Sequence, residues 1–178
     1  MNKPGSWTKI SIGIFCTALW TAPAHAQEAN PADVASIDAI MLATYDVISG
    51  DAGVKRDWAR WHSLFAPGAT LSAVSATDDG YQRRLLTPES YAETIGPNLE
   101  ANGFHEIEIH RVTEQYSQIA HVFSTYESRN RADDPEPTNR GINSFQLMHD
   151  GKRWWVVSIY WQGEGERNPI PEQYLPES

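Results

Sequence analysis

Trp58, Trp61, His62 and Phe65 fall at spacing i, i+3, i+4 and i+7, which gathers three large aromatic rings on one face of a short helix. Rings of that size remove a large apolar area from water only if another element covers them, so the segment cannot stand alone. It stops at Pro67-Gly68 and runs into the apolar stretch Ala69 to Val74, so helix passes directly into strand. Asp57 stands where a cap or first-turn acid belongs, with Arg60 one turn later.

The rest of the chain falls into helices first and strands afterwards. Asn30-Pro31 supplies an N-cap and a first-turn proline, and Val34, Ile37, Met41, Tyr45 and Ile48 form one apolar seam that ends near Ser49-Gly50. Thr77 to Gly80 reads as a turn after which Arg83 to Leu86 pairs back, and Thr87-Pro88 opens a third helix disturbed at Gly96-Pro97. From Phe104 the period changes to two. Ile107 and Ile109 alternate with Glu106, Glu108 and His110, which predicts a strand whose charged side is solvated. Three further strands are expected over residues 118–129, 141–148 and 153–161, the last two joined by a tight turn at Asp150-Gly151. In the final strand Trp154 and Val156 alternate with Trp155, Val157, Ile159 and Trp161. Both faces are therefore apolar, and a sheet from a second copy, making a homodimer, is the expected cover for the outer one.

The first 26 residues read as an address. Lys3 and Lys9 precede an apolar run from Ile10 to Trp20 that is too short for a bilayer span, and Ala24-His25-Ala26 has the form of a signal-peptidase site. Export to a periplasm or the outside, with cleavage after Ala26, is the expectation, and no membrane attachment is expected afterwards. Removing 26 of 178 residues leaves 152 and discards the only cysteine, Cys16, which excludes thiol catalysis and cysteine metal sites. Losing Lys3 and Lys9 takes the formal net charge from −9 to −11. An acidic surface of that kind repels phosphate backbones, so nucleic acid is not an expected partner. One domain over residues 27–162 follows, with an extended tail over residues 163–178 carrying Pro169, Pro171 and Pro176 and held by Ile170, Tyr174 and Leu175.

Two stretches carry a resemblance: Trp58-Ala59-Arg60-Trp61-His62-Ser63-Leu64-Phe65-Ala66-Pro67-Gly68-Ala69, and the terminal Gly151-Lys152-Arg153-Trp154-Trp155-Val156-Val157-Ser158. With the order of elements around them, residues 30–161 resemble the nuclear transport factor 2-like superfamily, which includes SnoaL-like polyketide cyclases and ketosteroid isomerases. The resemblance implies an α+β fold, a cone-shaped, strongly curved and mostly antiparallel sheet packed against about three N-terminal helices. It also implies a largely apolar pocket for a small organic ligand. Tyr45, Trp58, Trp61 and Phe65 are the lining candidates from the helices. His121, Phe123, Tyr126, Asn143, Ser158 and Tyr160 are those from the strands. Ordinary core packing accounts for such rings more often than ligand binding does.

Carbonyl-directed proton transfer needs a carboxylate base and an acid at the enolate oxygen. Tyr45 matches the tyrosine of the isomerase pattern. The strand Thr70 to Ser75 supplies only Ser72 and Ser75, and the later strands offer Asn143, Ser144 and Ser158 where an acid is wanted, so steroid isomerisation is disfavoured. His121 is the preferred proton carrier, with Tyr45 beside it and His62 behind them, because an imidazole titrates closest to neutrality. Glu106, Glu108 and His110 form the only metal-like grouping, and a solvated face explains them better. No metal and no cofactor are expected. Three functions fit: an exported pocket that binds a small apolar molecule, a lyase, isomerase or cyclase using pocket His or Tyr, and a dimeric scaffold plugged by Trp58 and Trp61.

Overall fold

Four of the five α-helices among the described residues begin where a side chain satisfies a free backbone N–H group. In the computed structural model, which describes residues 28–177, Asn30 caps α1 (Pro31–Val34) by accepting from Ala32 N at 3.1 Å. The predicted signal segment lies outside the described residues. Ser36 then caps α2 (Ile37–Ile48), its hydroxyl accepting from Ala39 N at 3.0 Å. The single helix expected here is therefore two, because Ser36 is extended and restarts the helix with a new cap. Asp57 accepts from Arg60 N at 2.8 Å and starts the aromatic helix α3 (Trp58–Ser63). Thr87 and Ser90 form a reciprocal box at α4 (Pro88–Thr94), and Gly96-Pro97 opens α5 (Gly96–Asn102).

The strands form one open six-stranded sheet in the order β2-β1-β6-β5-β4-β3. They are β1 (Phe65–Thr77), β2 (Gly80–Leu86), β3 (His105–Tyr116), β4 (Ile119–Arg129), β5 (Asn139–His149) and β6 (Trp154–Gly163). The β1–β6 pair is parallel and every other pair antiparallel, as sequence-distant neighbours permit and hairpins require. The helices pack on one side, and Ile40, Met41, Trp61, Leu64, Leu71, Val122, Phe145 and Val156 are buried between the layers. Each such side chain contributes roughly 1.5–3 kcal/mol by leaving water. The indole N–H of Trp61 donates to Pro88 O at 3.0 Å, which ties α3 to the start of α4.

Register irregularities decide which side chains face the helices. In β3, Glu108 pairs with Tyr126 but His110 pairs with Thr125, so Ile109 is an extra residue. Glu106 and Glu108 consequently share the inner face with Tyr126, while Ile107 turns outward and is 51% exposed. The expected solvated face of Glu106, Glu108 and His110 is thus overturned: the two carboxylates point inward and only His110 points out. A second bulge, where Gln146 pairs with Ser158 and Leu147 with Val156, puts Trp154, Val156, Ile159 and Trp161 together on the inner face. The expected alternation of Trp154 and Val156 against Ile159 and Trp161 is corrected by that one-residue offset.

Outside, Val157 and Tyr160 remain 38% and 50% exposed. The tail crosses the outer face of β4, where Thr125 Oγ1 donates to Tyr174 O at 2.6 Å and Phe123 meets the Tyr174 ring edge-on at 5.0 Å.

Behind the site, Arg56 is 7% exposed and binds four carbonyls. Its Nε donates to Ile48 O at 2.9 Å, Nη1 to Val54 O at 2.6 Å, and Nη2 to Gly50 O at 2.6 Å and Leu99 O at 3.2 Å. The guanidinium thereby answers carbonyls near the C-termini of α2 and α5, where the helix dipole favours a cation. Glu100 completes the junction: it accepts from Lys55, from Arg56 N and from Trp58 Nε1, and the Lys55 ammonium foremost holds its carboxyl down at about 2.

Candidate functional site

Between the inner face of the sheet and α2 to α5 lies a cavity of about 330 Å³. That is near the small end for ligand pockets and gives room for roughly ten water-sized groups. A larger groove of about 1090 Å³ runs along Pro31, His62, Phe65, Pro67, Glu89 and Trp155. The smaller cavity is the better candidate, because buried titratable groups converge on it.

Tyr45 from α2, Trp61 from α3, Tyr91 from α4, Tyr126 from β4 and Trp161 from β6 contribute rings to its wall. Trp61 and Tyr91 stack with centroids 5.0 Å apart, and Trp161 meets Tyr91 edge-on at 6.4 Å. Set among them is one carboxylate, Glu106, partly buried and accepting from Asn143 Nδ2 at 3.3 Å. Burial raises its pKa to about 8, against the stabilising amide of Asn143. Removal from water outweighs one hydrogen bond from a neutral donor, so the group is mostly protonated at neutrality.

From Asn143 a directed chain of hydrogen bonds leads away from Glu106. Asn143 Nδ2 also donates to the Tyr45 hydroxyl at 3.1 Å. Tyr45 lies 2.7 Å from Ser124 Oγ, and Ser124 in turn donates to Glu108. A serine has one hydroxyl proton, so Tyr45 is the donor to Ser124. Glu108 accepts from Arg111 Nε at 2.7 Å, and Arg111 reaches the exposed Asp38 at 2.5 Å. Burial, followed by the nearby Glu106 charge, pushes the phenols of Tyr45, Tyr91 and Tyr126 well above their ordinary value. All three therefore remain neutral hydrogen-bonding groups. Tyr126 accepts from Asn139 Nδ2 at 3.2 Å.

Of the residues singled out in the sequence, the structure brings Tyr45, Trp61, Tyr126 and Asn143 together in this wall. Trp58 lies behind it, its indole on Glu100 at 3.0 Å, and Phe65 borders the larger groove. The strand parity assumed for His121, Phe123, Ser158 and Tyr160 is corrected. Ser124 and Tyr126 face Tyr45 and the cavity, so the residues alternating with them in β4 point outward, and the β6 bulge does the same to Ser158 and Tyr160. His121 instead contacts Ser144 Oγ at 3.0 Å on the outer face and cannot reach the cavity. Sequence reasoning passed over Glu106, Tyr91, Asn139 and Trp161. The signal that bore on Glu106 was its place in a strand where isoleucines alternate with acids, and that pattern pointed the wrong way.

No family model and no curated protein matches the chain. Solved structures do. A protein of unknown function with a cystatin-like fold from Nostoc punctiforme superposes with a TM-score of 0.56 at 13% identity, covering 78% of this chain and 96% of that one. An NTF2-like protein of unknown function from Silicibacter pomeroyi gives 0.51 at 14% identity over 73% and 94%. A candidate ketosteroid isomerase from Parabacteroides distasonis gives 0.51 at 11% identity over 80% and 99%. At these identities the likeness is one of fold: the chain has the nuclear transport factor 2-like α+β architecture, and its chemistry has to be argued from its own residues.

Proposed function

We propose that this protein binds a small, largely apolar organic molecule in the cavity between sheet and helices, with Glu106 as the group that engages it. The observation that carries this reading is a lone carboxylate, held near pKa 8, inside an aromatic wall where Asn143 joins it to the Tyr45 hydroxyl. Keeping an ionisable group in such surroundings costs stability, which structural packing alone does not account for. A second reading is favoured by the same residue. A carboxyl that changes state near neutrality is suited to general acid–base work, so lyase or isomerase chemistry would run through Glu106 and not through His121. The open cavity counts against a scaffold plugged by Trp58 and Trp61.

Native mass spectrometry of the purified protein, compared with an Ala73→Phe variant that fills the cavity from β1, tests the reading. A bound small molecule in the wild type that Ala73→Phe loses is the expected result, and equal retention by both proteins would place the ligand elsewhere. Export and pairing through the outer face belong to the same proposal: the intact mass would start at Gln27 and light scattering would report a dimer.

A further inference from the structure

We propose that the ligand is an organic cation, an alkyl- or arylammonium whose head group sits against Glu106 within the ring of Tyr45, Tyr91, Tyr126, Trp61 and Trp161. This rests on the pocket reading above and names the ligand class of that same site. Among the residues lining the cavity Glu106 is the sole charged group, and no lysine, arginine or histidine is present. An anion entering here would find no cationic side chain and, wherever Glu106 is ionised, a like charge, which a low-dielectric site penalises heavily. A cation would gain the carboxylate as partner and the faces of the surrounding rings, the environment in which ammonium groups are recognised.

The hydrogen bonds fix which groups face a ligand. Both N–H groups of Asn143 are engaged, one by Glu106 and one by Tyr45, and Tyr45 spends its proton on Ser124. With the Asn143 amide committed, the groups left to face a ligand beside Glu106 are its own carboxylate and the surrounding phenol and indole rings. The groups packed around Glu106 keep its titration readable. Tyr45 from α2, Tyr91 from α4 and Tyr126 from β4 ionise only at higher pH. Asn143 from β5 and Trp161 from β6 carry no charge, and Glu108 on the same strand is paired with Arg111.

Calorimetric titration of the mature protein with three probes of like size tests the inference: phenyltrimethylammonium, its neutral isostere tert-butylbenzene, and benzenesulfonate. The ammonium is expected to bind at least tenfold more tightly than the hydrocarbon at pH 9, and the sulfonate not at all. Because the probe itself does not titrate, its affinity follows the ionised fraction of Glu106. With a pKa of about 8, affinity should rise about tenfold between pH 7 and pH 9. Glu106→Gln should remove both the rise and the preference; if that variant does not fold, the wild-type pH series decides. Equal or tighter binding of tert-butylbenzene at pH 9 overturns the cation and leaves the pocket standing. No binding by any probe overturns both.

Discussion

Replacing Glu106 with Gln should make the protein more stable in alkali, by an amount the structure sets. The carboxyl titrates at an ordinary 4.5 when unfolded and at about 8 when folded. Below 4.5 both states hold the proton and the group is neutral with respect to folding. Between 4.5 and about 8 the folded protein keeps a proton that the unfolded chain has released, so stability falls as pH rises. At roughly 1.4 kcal/mol per pH unit the loss is bounded at about 5 kcal/mol, and water in the cavity reduces it; a loss of about 2 kcal/mol or more is expected. Gln keeps the carbonyl that accepts from Asn143 and has nothing to ionise. Urea denaturation of both proteins from pH 4.5 to pH 9 measures the effect, since every other titrating group is common to the two and cancels in the difference. The stability gap should be near zero at the acid end and widen toward alkali in favour of Gln. Parallel curves, or a gap that opens toward acid, would refute the claim that burial governs this carboxyl.

Two structural perturbations follow from the same frame. Arg56→Ala should destabilise the fold by about 3 kcal/mol or more, because it strips a buried cation from four carbonyls and leaves them unsatisfied; a change below 1 kcal/mol in chemical denaturation, an amount usual for a surface site, would contradict that role. Gly141→Ala would bring a Cβ to 2.5 Å from both Gln162 O and the Tyr126 hydroxyl, so about 1–3 kcal/mol of destabilisation and a displaced Tyr126 are expected, visible in near-ultraviolet circular dichroism. An unchanged spectrum would show that the wall yields without moving the ring.

The fold was largely legible because its signals are local. Asn30, Asp57 and Thr87 cap helices where their side chains and the following residues said they should, and the Thr77–Gly80 and Asp150-Gly151 turns join the strands expected on either side. The site was half legible. Tyr45, Trp61, Tyr126 and Asn143 line the cavity, whereas Glu106 was read as solvated. Strand periodicity gives alternation but not which parity faces the core, and a bulge resets that parity without any residue type announcing it. Ile107 and Ile109 made the wrong face look buried, and β3, an edge strand, leaves Ile107 in water. Arg56 is a structural hub because carbonyls distant in sequence come together around it, which no local pattern marks.

The extra residue at Ile109 has a consequence for how this pocket could change. It lies between the strand segment carrying Glu106 and Glu108 and the segment carrying Arg111, so it acts as a phase marker: acids on one side of it and the base on the other reach the same face only while the count is kept. Deleting one residue there would either move the acids to the outside or turn Arg111 away from Glu108, with every side chain identity unaltered. The chemistry of the cavity is thus written partly in chain length, and an insertion or deletion in β3 is a larger functional step than most substitutions in its wall.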